Sequence, residues 1–166
     1  FIGRLVPLKW VDLLIKALKS IENIEWNCTI IGEWNHKEYL EKLTKDLNLW
    51  KRIKFIWADD RSNRLHKFDI FTNPSYQEWL PTTVIEALLA KCVVVATDVG
   101  GTKEISNKKD LILIKKWDQK AIEDNLEITL KEYKKTSWLS YDIVKKNFDW
   151  EYNIWKYIEI YKSYIK

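Results

Sequence analysis

Glycine is scarce in this chain, 4 residues of 166, where ordinary usage of about 7% would supply roughly 11 or 12. Methionine is absent, and proline (3), cysteine (2) and histidine (2) are few. Each shortage excludes something. Two cysteines, Cys28 and Cys92, both inside β-branched runs, cannot build the disulfide framework of a small secreted scaffold. They read as a reduced pair of small buried hydrophobes, which points to the cytoplasm. No Asp-x-Asp, His-Glu-x-x-His or Cys-x-x-Cys occurs, so no metal is expected, and His36 and His66 lie in polar helical stretches as surface residues. No Gly-x-Gly-x-x-Gly follows the first strand, which weakens a dinucleotide-dependent oxidoreductase. No apolar run approaches the roughly 18 residues that cross a bilayer. The opening Phe1-Ile2-Gly3-Arg4-Leu5 has no initiator Met, basic segment or cleavage site, so it reads as a strand entered midway rather than a signal peptide.

What is present describes a globular α/β protein. The length fits one domain with a substantial core. Hydrophobic residues make up 46% and charged residues 31%, with a net charge of +4. That mild basic bias suits anionic ligands or acidic surfaces without demanding nucleic acid. Strand-like runs (residues 1–5, 27–32, 53–57, 68–72, 92–96 and 111–114) alternate with helical stretches (11–21, 36–47 and 80–90, with Pro81 in its first turn). Gly100-Gly101 opens another short helix. From Asp118 onward the pattern is helical, in three segments broken near Thr136 and Asn147. The run Cys92-Val93-Val94-Val95-Ala96 is continuous enough to be covered on both faces. This alternation predicts a doubly wound parallel sheet, Rossmann-like, with C-terminal helices and right-handed crossovers. No linker, low-complexity tract or repeat divides residues 1–166.

In such a sheet ligands bind beyond the carboxyl ends of the strands, and three segments fall there. In Gly3-Arg4-Leu5-Val6-Pro7-Leu8-Lys9, two cations flank a turn that enters a helix, where an anion is favoured; the plainer alternative is a solvated basic turn. In Pro74 to Ala87, a loop runs into a helix whose first N–H groups, with those of Leu80, Thr82 and Thr83, are free. Glu78 precedes that helix. Glu86 interrupts its apolar face, where a carboxylate needs a partner such as a ribose diol unless it sits at the edge in water. In Ala96 to Glu104, a strand end meets Gly100-Gly101, a weak signal by itself.

Taken in order, GRLVPLK, NPS-YQE-x-LPTTVIEAL and VVVATDVGGTKEI resemble the C-terminal, donor-binding half of two-domain (GT-B) glycosyltransferases of group 1, or family 4. IIGE at 30–33, IKFI at 53–56, FDIFTNPS at 68–75 and NFDWEY at 147–152 extend the match over nearly the whole chain. The resemblance implies a metal-independent enzyme that binds a nucleotide-diphosphate sugar of UDP or GDP type and transfers the sugar, with retention, to a glycan or lipid-linked hydroxyl acceptor. Arg4 and Lys9 would grip the diphosphate and Glu78 the transferred sugar, with Gly3 and Trp79, Leu80, Pro81, Thr82 and Thr83 around them. Glu86 would hold the ribose, while Gly32, Trp34 and Trp57, with the stretch to Ala58, would line the base pocket. The acceptor domain lies outside this chain, so turnover by residues 1–166 alone would be poor. A non-catalytic nucleotide-binding or scaffold module on the same fold is the competing class. The C-terminal WKYIEIYKSYIK would pack back across the acceptor domain, and a membrane-surface contact for a lipid-linked acceptor stays open.

The chain departs from the family pattern in one systematic way. Trp10, Trp34, Trp57, Trp79 and Trp117, with Trp50 as a sixth, stand where the pattern has glycine, whereas Trp26 and Trp150 stand at ordinary aromatic positions. A gene in which UGA encodes glycine, translated with a code in which UGA means tryptophan, produces this pattern. A tryptophan-rich divergent enzyme with weakened donor binding is the alternative. Lys91 and Val93 also replace the pattern's Gly and Pro, in a helix-to-strand turn.

Overall fold

The computed structural model describes residues 1–33, 35–57, 64–136 and 138–164, apart from the side chains of 134–136 and 152. Five short strands come first to view: β1 (Cys28–Ile31), β2 (Ile53–Ile56), β3 (Ile70–Asn73), β4 (Val93–Thr97) and β5 (Leu111–Ile114). All pair in parallel, β1 with β2 and β3–β4–β5 in order. Helices α1 (Val11–Ser20), α2 (Lys37–Asp46), α3 (Thr82–Leu89), α4 (Thr102–Ile105), α5 (Gln119–Thr136), α6 (Tyr141–Phe148) and α7 (Trp150–Tyr164) connect and follow them. One-turn 3-10 helices occupy Pro7–Lys9 and Leu65–Lys67.

The arrangement is the doubly wound, Rossmann-like α/β fold that the alternation of periods predicts. Strand β4 is buried at all five positions, and its side chains divide by the two-residue pleat. Val95 joins the cluster under α1, α2 and α5, with Leu14, Ile15, Leu40 and Ile122. Val94 and Ala96 join the cluster under α3 and α6, with Val84, Leu88, Phe71 and Val144. Each fully buried Leu or Ile in these layers contributes roughly 1.5–3 kcal/mol.

Residues 1–5, expected as a strand, form only an isolated parallel bridge, Ile2 opposite Ile31. Gly3 N–H donates to Ile31 O at 3.0 Å and Leu5 N–H to Glu33 O at 2.9 Å, so the segment runs beside β1 without a regular ladder. Phe1 and Ile2 line one internal hollow with Cys28, Thr29, Ile70 and Phe71, which places these first residues between the two sheets. The helix expected from residue 80 begins at Thr82. Pro81 is its N-cap, with extended backbone (φ −75°, ψ 95°), because the residue that enters a helix must leave the extended region. The break expected near Asn147 falls at Asp149, which is extended between α6 and α7.

Both thiols are free, Cys92 buried and Cys28 half-buried. Burial raises both pKa values, that of Cys92 to about 11. Among the described residues no helix is long and apolar enough to cross a membrane.

Candidate active site

The three loops singled out by sequence do meet, at the carboxyl edge of the sheet. The first is locked to the second twice. Tyr76 N–H donates to Leu8 O at 2.8 Å, and Lys9 Nζ lies 2.5 Å from Glu78 Oε1. The second is locked to the third through bare backbone. Gly101 N–H donates to Trp79 O at 2.6 Å. Gly100 has φ +55°, and a Cβ there would lie 2.0 Å from Glu78 O. No side chain could occupy that space, so the Gly-Gly pair is what lets the β4–α4 loop cradle Glu78 and Trp79.

Beneath the Lys9–Glu78 pair the floor is polar and buried. Asn73 Nδ2 donates to the same Glu78 oxygen at 3.3 Å. Ser75 Oγ donates to Asn73 Oδ1 at 2.8 Å, and Thr97 Oγ1 donates to Ser75 O at 2.5 Å. Asn73, Ser75 and Thr97 are all buried. They orient the carboxylate as a chain of satisfied groups in a low dielectric should, by removing alternatives. Sequence reasoning quoted Asn73 and Ser75 in a motif but gave them no role; polar residues at a strand's carboxyl end were the available signal.

Both recorded contacts of Glu78 fall on Oε1, so Oε2 keeps its lone pairs for a hydroxyl. Lys9 and Glu78, assigned to different parts of one ligand, here neutralise each other. An arriving dianion would compete for the ammonium and release the carboxylate toward a neighbouring hydroxyl. Arg4 is exposed in the same loop. Helix α3 carries no side-chain cap, so its first turn presents the N–H groups of Thr82 and Thr83 without intrahelical acceptors. Pro81 is buried and Leu80 exposed.

The remaining assignments divide. Glu86 does not interrupt a buried face. The inward positions of α3 are Val84, Ile85, Ala87 and Leu88, and the helical period turns Glu86 outward with Thr82, where both are exposed. Its carboxylate is therefore exposed on the outer face of α3. Gly32 is buried at the end of β1, and a Cβ there would lie 1.9 Å from Gly3 O, so the first loop passes directly over it. Trp57 is exposed, with Lys37 Nζ 4.8 Å from its ring centre. Trp34 and Ala58 lie outside the described residues. His66 is exposed as expected, but His36 is half-buried and stacks on Tyr39 at 4.6 Å.

Above this floor stands an aromatic rim that the sequence did not announce as a unit. Trp10 packs against Trp117 at 4.1 Å and Tyr76 at 5.2 Å between ring centres, and Lys116 Nζ lies 4.9 Å from the Tyr76 ring centre.

Known proteins bear on this geometry as follows. The O-antigen biosynthesis glycosyltransferase WbnH of Escherichia coli is 28% identical over 113 residues, covering 68% of this chain and 32% of the relative. A glycosyltransferase from Rickettsia africae superposes with a TM-score of 0.91 at 23% identity, over 99% of this chain and 46% of that one. Alr3699/HepE of Anabaena, solved in complex with UDP, superposes with a TM-score of 0.86 at 20% identity, over 98% of this chain and 47% of that one. The chain thus spans about a third of the length of curated relatives it matches and under half of these two structures. The sequence profile of the glycosyl transferases group 1 matches residues 1–144, most of the chain and all three loops of the site. The chain belongs to that family.

Proposed function

We propose that residues 1–166 are the donor-binding, C-terminal half of a GT-B glycosyltransferase of family 4, one that transfers a hexosyl group with retention from a nucleotide diphosphate to a hydroxyl acceptor. The observation that carries this is the meeting of Lys9 and Glu78 across two loops at the carboxyl edge of a parallel sheet, where this architecture binds ligands. The geometry divides the labour. Arg4 and Lys9 balance the negative charge that grows on the diphosphate as the glycosidic bond breaks; cations poised where charge develops act most strongly in the transition state. The N–H groups of Thr82 and Thr83 add to that field at the start of α3. Glu78, relieved of Lys9 by the diphosphate, accepts a hydroxyl hydrogen bond from the sugar. Glu86, exposed one helical turn beyond Thr82, would take the ribose hydroxyls. Gly3, Gly32, Trp57, Trp79, Leu80 and Pro81 supply backbone and shape around the donor.

The acceptor is a glycan or lipid-linked hydroxyl held by an N-terminal domain outside residues 1–166. Relatives that act in O-antigen synthesis support a glycan or lipopolysaccharide product. The half-length match to whole enzymes supports a shared site completed from the other side.

Isothermal titration of this chain with UDP, GDP and their glucose or mannose conjugates tests the proposal. The expected result is binding of one nucleotide class, weakened about 30-fold in Lys9→Ala, with turnover only after the upstream domain is added. Heat from neither nucleotide class, in a chain shown to be folded, leaves the scaffold alternative.

A further inference from the structure

The described residues hold two kinds of tryptophan. Trp26 is 6% exposed, donates its indole N–H to Ile21 O at 3.1 Å and lies under the Arg52 guanidinium at 3.7 Å. Trp150 and Trp155 sit within helix α7, on right-handed backbone. These three have an ordinary backbone, and Trp26 has full employment for its ring.

Trp10, Trp117 and Trp138 are different. Their φ angles are 47°, 69° and 83°. In that region an L-residue's Cβ crowds the following carbonyl, and a bulky side chain there is an outlier. Among the described residues five non-glycine positions have positive φ, and three of them are these tryptophans. The other two, Asn48 and Lys91, stand two residues beyond the ends of α2 and α3, where a left-handed residue commonly closes a helix. Asn tolerates that conformation through its short polar side chain.

Nothing about the rings accounts for the left-handed backbone. Trp117 is 69% and Trp138 62% exposed. The tilted Trp10–Trp117 contact fixes where two rings lie, not why both backbones are left-handed. Positionally, all three stand where glycine serves: at the junction of a 3-10 turn with α1, in the turn between β5 and α5, and two residues past α5. Trp50, Trp57 and Trp79 complete the group as exposed tryptophans in turns and loops, Trp79 at 89%. The backbone carbonyl of Trp79 is pressed against Gly100 and Gly101.

We propose that Trp10, Trp117 and Trp138, and with them Trp50, Trp57 and Trp79, are glycine in the protein that the gene specifies, each encoded by a UGA codon that the source organism reads as glycine. One change of codon meaning explains a backbone fact and a compositional one together. Six conversions lift glycine from 4 to 10, near ordinary usage. The φ angles carry this whether or not the chain binds a nucleotide sugar. At the site the consequence is concrete: the rim loses both indoles and keeps the Tyr76 ring, with bare backbone at residues 10 and 117.

The test reads the codons at residues 10, 26, 79, 117 and 138, and the masses of the corresponding peptides from protein purified from its source organism. The expected result is UGA with a glycine mass at 10, 79, 117 and 138, and UGG with a tryptophan mass at 26. Tryptophan by peptide mass at any of 10, 117 or 138 overturns the proposal, as does UGG at those codons.

Discussion

The two ends of the sheet each hold a carboxylate away from bulk water, one fully buried and one half-buried, and they do so for opposite purposes. At the amino end, Asp110, just before β5, is 1% exposed. It accepts Ser140 N–H at 2.7 Å and the Ser140 hydroxyl, while Ser106 Oγ lies 2.5 Å from Ser140 Oγ. These partners are neutral donors, and they tie the start of α6 to the β4–β5 connection. At the carboxyl end, Glu78 is held by one ammonium and one amide on a single oxygen, under loops that open to solvent. The first carboxylate is engaged on both oxygens by fixed neutral donors within the core, so it holds the fold. The second is paired with a cation that a stronger anion can take away, so it can exchange partners. A buried charge with neutral, fixed donors is structural; one balanced by a movable counter-charge is equipped for a ligand.

The contrast breaks most visibly if the wrong end carries stability. Asp110→Ala takes the acceptor from the Ser140 amide and the Ser140 hydroxyl in the core, at a cost of about 3 kcal/mol. Urea denaturation is expected to show that loss, with nucleotide affinity of the folded fraction unchanged. The mirror experiment is Lys9→Ala, which removes a charge-assisted contact of about 2 kcal/mol with a diphosphate. UDP or GDP binding is expected to weaken about 30-fold, while stability moves by no more than about 1 kcal/mol, because the pair is partly solvated. Glu78→Gln sharpens the division further. Affinity for the bare nucleotide should hold within a few-fold, but the extra affinity of the sugar conjugate should disappear in the same titration. If Asp110→Ala abolishes binding in folded protein, or Lys9→Ala unfolds the chain, the two ends are not specialised as described.

A smaller effect is expected at two of the left-handed tryptophans, Trp117 at the rim and Trp138 beyond α5. Trp117→Gly and Trp138→Gly each relieve a left-handed backbone, for about 1 kcal/mol apiece. Calorimetry should place each variant about 2–4 °C above the chain as written. A lower midpoint in both would mean the rings contribute more by packing than the backbone loses.

The fold was legible because its signals are local and redundant. Val93, Val94 and Val95 read as a strand covered on both sides, and the 3.6-residue spacing of Leu14, Ala17, Leu18 and Ile21 reads as a helix on a core. The three loops of the site were legible as loops for the same reason. Their mutual contacts were not. The Lys9–Glu78 pair spans 69 residues, and no periodicity predicts which cation a carboxylate will meet across a sheet. Glu86 was misplaced because apolar neighbours on both sides suggested burial, although the helical period alone turns it outward with Thr82. The Asp110–Ser140 cluster was invisible because two serines and an aspartate in polar stretches look like surface. Backbone sign was legible only indirectly: residues 10 and 117 were suspect from their glycine-like setting, but residue 138 emerged only from its φ angle.

Cys92 extends the comparison to pH. It precedes β4 at the amino end of the sheet and donates its thiol hydrogen between Phe68 O at 3.2 Å and Leu65 O at 3.4 Å. Burial pushes its pKa up to about 11 from an ordinary 9.0, because a thiolate there would lose water and face two carbonyl oxygens. The folded chain therefore holds this proton more tightly than the unfolded chain. Its contribution is present in full below about pH 9 and is lost as pH rises through about 11, at most about 3 kcal/mol. Urea midpoints from pH 8 to 11 should fall more steeply for the chain than for Cys92→Ala, and the difference in slope isolates the thiol from the many lysines that titrate alongside it. Parallel slopes would mean that Cys92 ionises freely in the folded chain. Donor binding after return to pH 8 should be unaffected in both, since Cys92 belongs to the structural end of the sheet.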